Sequence, residues 1–244
     1  MLRKKEQGAT LIIVLMLLLA ITIIGTLAVR QSLVSLNIAT NNQASQLMLQ
    51  SSDAAIFNVE DSTNLARSLA KDGMFGYIKT DSHKGKELVF CFRGTNAQFF
   101  NLADASLAYM EEGSANLNLN SMGTAGYCQA RSSNNFFTSN RRAVMTQVSI
   151  SFVSNGTGSK PFEDSVRGTD DEVPIEKREK VIVHAISLMP TISSASMTDI
   201  DNCLRRLSNT TSIDVNISIT SCLAGLNVPF TAHVTEYTLG QEFL

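Results

Sequence analysis

The sequence predicts an α+β fold in which one long N-terminal α-helix, membrane-spanning in its first half, packs on an antiparallel β-sheet joined by long loops. Three observations predict it. Residues 9 to 29, ATLIIVLMLLLAITIIGTLAV, form a run of 21 residues without a charge. From there to Asp61 the chain has no proline and, past Gly25, no glycine. Beyond Asp61, apolar and polar residues alternate in several stretches, which is the period of a strand with one buried face.

The helix comes first. At about 1.5 Å per residue, the uncharged run spans roughly 31 Å, enough to cross a hydrocarbon core of about 30 Å. Leu33, Leu36, Thr40, Gln43, Leu47, Gln50, Ala54 and Phe57 then recur every three or four residues, a stripe apolar at its ends and polar in its middle. The helix is expected to continue to Asp61, with its second half under a globular domain. Arg30, the first charge after the run, reads as a stop-transfer flank.

Strands are expected in the rest. MTQVSISFV places Val148, Ile150 and Phe152 on one face and Gln147, Ser149 and Ser151 on the other. SIDVNISIT alternates Ile213, Val215, Ile217 and Ile219 with polar residues, and both stretches read as half-buried antiparallel strands. KVIVHAISL is apolar on both faces and reads as a more central strand. VPFTAHVTEYTL and the shorter ELVFCF complete the set. A helix is expected at STNLARSLAKDG, capped by Ser62 or Thr63 and ended by Gly73, and another near Thr198, with Ile200, Leu204 and Leu207 on one face. Residues 113–142 and 154–174, rich in Asn, Ser, Gly and Pro, read as loops.

The leader carries the functional signal. MLRKKEQG is short and basic, and its glycine precedes the apolar run, whereas a secretory signal is cut after its apolar core. The basic residues Arg3, Lys4 and Lys5 predict a cytoplasmic leader and a body across the membrane. This junction resembles the class III signal of type IV prepilins and type II secretion pseudopilins. The resemblance implies a prepilin peptidase that cuts after Gly8 and methylates Ala9. It implies the domains 1–8 (cleaved leader), 9–29 (membrane and filament-core half of the helix, with Ile13, Leu17, Ile21 and Gly25), 30–61 (periplasmic half) and 62–244 (globular pilin domain).

The fifth mature residue is Ile13, where major pilins carry a glutamate. A mid-bilayer charge costs about 2.5 to 3.5 kcal/mol on insertion scales, so it is kept only for a purpose that an isoleucine does not serve. Its absence is similar to the PilX-type minor pilins and to the minor pseudopilin K. Asp53 and Glu60 also stand near the acidic places of the PilX-type helix. The PilX-type resemblance implies a structural, non-enzymatic subunit of a tip or priming complex that supports adhesion or aggregation. Its implied partners are other minor pilins, the major pilin, a tip adhesin and the inner membrane, with the pilus at the cell surface as destination. Pseudopilin K, a signal-anchored periplasmic enzyme and a secreted binding protein cut after Ala28 are the alternatives.

The exported portion, roughly 180 residues past the helix, can hold one core. The chain has 20 Lys and Arg against 22 Asp and Glu, and removing the leader takes away three bases and one acid, leaving a formal charge of −4. No nucleic-acid partner is expected. Four cysteines, Cys91, Cys128, Cys203 and Cys222, lack a C-x-x-C pair and read as disulfides of an oxidising compartment. Three pairings are possible. Cys91 with Cys128 and Cys203 with Cys222 are favoured because each joins neighbours in the chain, and the second resembles the C-terminal disulfide loop of many pilins.

Catalytic and metal signals are weak, and no catalytic residue, cofactor or metal is expected. Ser68 and Lys71 spell S-x-x-K without its companion motifs. His83, His184 and His233 lie far apart in the sequence. Asp199, Asp201 and Asn202 begin like a calcium loop, but Cys203 takes the next ligand place; Asp170, Asp171 and Glu172 have no spaced ligand series. The sequons at Asn155, Asn209 and Asn216 lack a glycosylation system in this setting.

Overall fold

The computed structural model describes residues 9–94, 98–111, 116–136, 143–152, 165–170, 173–177, 179–208 and 216–239. Helix α1 runs Ala9–Glu60, 52 residues. The chain divides into two compact units, Met1–Ser45 and Gln46–Leu244. The described part of the first unit is helix alone, and its large apolar side chains from Leu11 to Ile38 are exposed.

In the second unit, the end of α1 leads through a 3-10 turn (Ser62–Asn64) into α2 (Leu65–Leu69) and α3 (Met74–Ile78). Strands β1 (Glu87–Phe92), β2 (Ala105–Met110), β3 (Leu117–Asn118) and β4 (Met145–Phe152) follow. Then come β5 (Ser165–Asp170), β6 (Val173–Lys177), β7 (Glu179–Leu188), α4 (Met197–Leu204), α5 (Ile219–Gly225) and β8 (Phe230–Leu239). Six strands form one antiparallel sheet in the order β3-β2-β1-β4-β7-β8, and β5 and β6 form a separate hairpin.

Two apolar layers cover the sheet. On one face, Leu88, Phe90 and Phe92 of β1, Val148, Ile150 and Phe152 of β4 and Val181, Val183 and Ala185 of β7 pack with Ala55, Ile56 and Val59 of α1 and Met74, Phe75 and Ile78 of α3. On the other, Cys91, Met145, Ile186 and Leu188 pack with Cys128, Ala130 and residues of α4 and α5. Val89 and Ala108 meet Tyr127 and Leu207 on that same side. Gly126 lets the covering loop come close, because a Cβ there would stand 2.2 Å from the Val89 carbonyl oxygen.

This second layer corrects several expectations. β4 is buried on both faces, Gln147, Ser149 and Ser151 included, and not half-buried. KVIVHAISL, as β7, lies next to the edge strand, while ELVFCF and MTQVSISFV, as β1 and β4, take the centre. Ile219 opens a helix instead of closing a strand: Ser218 caps α5, accepting from the Ser221 amide at 3.4 Å, and Ile219 and Leu223 are buried. Ile213 and Val215 lie outside the described residues. Within 154–174, expected as loop, the backbone forms β5 and opens β6.

The first short helix also differs. Asp61, not Ser62 or Thr63, caps the turn, accepting from the Thr63 hydroxyl at 2.7 Å and the Thr63 amide at 2.9 Å, and these bonds hold its carboxyl below the usual range. α2 stops at Leu69, and Gly73 stands before α3, where a Cβ would meet the Arg67 carbonyl oxygen at 2.1 Å. α4 follows the expectation near Thr198, capped by Ser196 and burying Ile200 and Leu204. On α1, the face against the sheet is not the stripe of Leu47, Gln50 and Phe57, which are exposed, but Met48, Ser51, Ser52, Ala55, Ile56 and Val59. Small residues there allow close approach to the strands.

Candidate anchor helix and helix–sheet seam

α1 presents two surfaces of different chemistry. From Thr10 on it is long and apolar enough to cross a membrane. A helix suits that medium because its backbone polar groups are satisfied within it. Thr22 and Thr26 donate their hydroxyls to the Leu19 and Ile23 carbonyls at 2.8 and 2.9 Å, so the run exposes few free polar groups. Ile13, Leu17 and Ile21 are all exposed, Ile13 at 58%, and Gly25 has nothing within 4 Å of its Cβ position. These four residues, each four apart, form a stripe that drifts slowly around the helix and enclose no cavity. Ala9 is the first residue of α1, and Gly8 lies outside the described residues.

Past Gln46 the inward surface becomes polar at its centre. Ser51 Oγ lies 2.7 Å from Thr146 Oγ1, Thr146 Oγ1 lies 2.6 Å from Ser187 Oγ, and Ser187 Oγ lies 2.7 Å from Ser52 Oγ. All four side chains are buried. Each hydroxyl can donate and accept, so the three contacts give every one of the four at least one partner. At the rim, Asp53 Oδ1 lies 3.3 Å from His233 Nδ1. About two turns further, Tyr237 donates to Glu60 Oε1 at 2.8 Å, and burial, then that carboxylate, push the phenol well above its ordinary range.

Sequence reasoning missed this seam. A signal existed, since Thr146 and Ser187 occupy helix-facing places in strands that are otherwise apolar there. Asp53 and Glu60 come with partners that only the sheet supplies.

The cysteines pair as Cys91 with Cys128, Cα atoms 4.9 Å apart, and Cys203 with Cys222, 5.4 Å apart. The first fastens the covering loop to β1, and the second joins α4 to α5. Gln147 of β4 supports the same layer, accepting from the Cys128 amide at 3.0 Å and donating to the Leu204 carbonyl at 2.8 Å. Asp201 of α4 accepts from the Ala130 amide at 2.6 Å; burial raises its carboxyl above the ordinary value, and that bond, Arg131 and Arg205 offset part of the effect. Glu87 at the start of β1 is buried and takes the Ser208 amide with both oxygens, 3.0 Å each. The roles of these polar groups are structural.

The remaining candidates stay dispersed. Ser68 is buried in α2, and Lys71 lies past that helix. His83 stacks on Tyr77 and meets Thr80 at 2.8 Å, His184 belongs to β7 and His233 to β8. Asp199 receives the Ser196 hydroxyl at 2.7 Å as part of a helix cap. Asp170 ends β5, while Asp171 and Glu172 lie outside the described residues, as do Asn155 and Asn209. Among the described residues, no three His, Cys, Asp or Glu side chains gather as a metal site.

Residues 7–57, the end of the leader and nearly all of α1, match the family model of the PilX N-terminal domain. No curated protein and no solved structure matches the chain. The long exposed apolar helix, the sheet it joins past Gln46 and the family match over that helix agree: residues 7–57 are similar to the PilX N-terminal domain, in a chain whose α+β architecture is pilin-like.

Proposed function

We propose that the protein is a non-enzymatic minor pilin that works in a tip or priming complex of the type IV pilus. The observation that carries this reading is Ile13 inside the matched segment: where the helix of a major pilin brings a carboxylate to meet a neighbouring subunit's amino terminus, this one brings none. A subunit without that group is suited to the start of a filament rather than to its repeating shaft.

In this reading, prepilin peptidase cuts after Gly8 and methylates Ala9. Residues 9–29 hold the protein in the inner membrane and later enter the filament core, 30–61 continue the helix into the periplasm, and 62–244 form the exported pilin domain. Helices associate through shape and lipid exclusion, since lipid tails are as apolar as the helices themselves. Other minor pilins, the major pilin and a tip adhesin are the partners, and adhesion or aggregation follows from the assembled tip.

Mass spectrometry of the mature amino terminus tests the reading. A methylated Ala9 is expected. An intact Met1 would instead support a signal-anchored enzyme, and Val29 as first residue a secreted protein. Gly8→Val should block processing and remove the protein from pili; normal piliation with only processed protein would reject the cleavage site.

A further inference from the structure

The two edges of the six-stranded sheet are unlike. One is finished by β3, two residues long. The other is β8, ten residues, whose sequence FTAHVTEYTL holds no Pro, Gly, Lys or Arg. Among the described residues β8 is paired on one side only, with β7, in continuous register from Phe230 opposite Leu188 to Leu239 opposite Glu179. Natural sheets blunt such edges with bulges, proline, lysine or short strands, because a long regular edge is a template for another strand. β8 is long and regular and has no proline or lysine; its one acidic residue, Glu236, lies 3.4 Å from Lys180 of β7, and Val234 on it is 54% exposed.

What lies beside the edge defines the partner. On the helix side, His233 and Tyr237 meet Asp53 and Glu60, so this part of α1 runs alongside β8 in the same direction. Asp53, Phe57 and Glu60, spaced four and three apart, form one stripe above that rim. Phe57 is 72% exposed and the Asp53 side chain 65%. An added strand would set alternate side chains under this acid–aromatic–acid stripe. A second copy is disfavoured: antiparallel pairing of two β8 edges about Thr235 brings Asp53 of one copy towards Glu60 of the other, like charge against like.

We propose that β8 is a docking edge that takes an extended segment of a different protein as a seventh strand. Alternate residues of that segment carry Lys or Arg against Asp53 and Glu60 and an apolar side chain against Phe57. Main-chain hydrogen bonds supply the attachment, and the stripe supplies the choice of partner. The inference rests on the sheet and helix, and holds whether or not the processing at Gly8 occurs.

The test uses the full chain in detergent micelles and a fluorescent peptide as long as β8, 10 residues. One face of the peptide is threonine, the other alternates lysine and valine; a second peptide has glutamate for lysine. Saturable binding of the lysine peptide is expected, with slowed hydrogen exchange in Phe230–Leu239, and binding of the glutamate peptide weaker by about tenfold or more. D53K/E60K should reverse that preference while exchange in β1 and β4 stays unchanged. Equal binding of both peptides, no added protection of β8, or a preference unmoved by D53K/E60K would overturn the proposal. Protection of β8 that grows with protein concentration in the absence of peptide would overturn it in favour of a second copy.

Discussion

Ser52 on α1 and Ser187 on β7, 135 residues apart in the chain, place their hydroxyl oxygens 2.7 Å from each other with both side chains buried. The contact is the middle of the join between helix and sheet, since Ser187 also meets Thr146, which in turn meets Ser51. A helix held at its centre by hydroxyls, and on either side by apolar packing, has one depth and one rotation at which each of these four hydroxyls keeps a partner.

Ser52→Ala should therefore lower unfolding free energy by about 1 kcal/mol, with Ser187→Ala costing a similar amount. The double variant should cost less than the sum, because neither hydroxyl is left facing an empty partner. Urea unfolding of the full chain in detergent measures all three. Strict additivity would mean that the two hydroxyls do not act together.

Gln147→Leu removes both bonds that tie β4 to the covering layer, stranding the Cys128 amide and the Leu204 carbonyl. A loss of about 2 to 4 kcal/mol is expected from two buried unsatisfied groups. Urea unfolding measures the loss, and a cost below about 1 kcal/mol would contradict the role given to the two bonds.

The Asp201 carboxyl is raised from its ordinary value of 3.8, chiefly by burial. Its contribution is thus full below that value and is lost as pH rises through the higher folded-state pKa. Asp201→Asn keeps an acceptor for the Ala130 amide and does not ionise. The variant should lack this part of the pH dependence, so that its urea midpoint gains on wild type as pH rises across that window. A parallel pair of pH profiles would contradict the assignment.

Removing the Cys91–Cys128 bridge, with a sequence separation of 37, should cost more than removing Cys203–Cys222, with 19. Loop closure gives about 3.8 and about 3.2 kcal/mol. Cys128 and Cys91 are also both buried, so the first pair should be the slower to react with a small reductant. Unfolding of the two double-alanine variants and timed thiol labelling check the order.

Ile13 predicts low abundance. In purified pili the protein should be a minor component relative to the shaft subunit by quantitative mass spectrometry. Its recovery as the most abundant subunit would contradict the tip or priming role.

Much of the fold was legible in residues whose local pattern agrees with their final surroundings. ELVFCF is β1 to the residue because both of its faces are apolar and both are covered. The long α1 was legible from the missing prolines and glycines. What misled was pattern without partner. SIDVNISIT alternates as a strand would, yet the Ser218 cap, the Cys203–Cys222 bridge and the pocket for Leu223 favour a helix from Ile219. The leucine and phenylalanine stripe of α1 suggested a core face, whereas serines and alanines make it, because the strands offer them hydroxyls and room. The uncharged run of α1 was the most readable part, since a helix long and apolar enough to cross a membrane asks only for length and lack of charge. The rim pairs of Asp53 and Glu60 were unreadable, because their partners lie on a strand some 180 residues away.

The direction of α1 beside β8 has a mechanical consequence. A pull on Gln46–Glu60 along its own axis is directed along the strands, because Asp53 to Glu60 and His233 to Tyr237 advance together. The hydroxyl contacts and the apolar face must then slide as one, in shear, rather than peel away in turn. Tension on Gln46–Glu60 is in this way shared across the whole joint before any single contact gives.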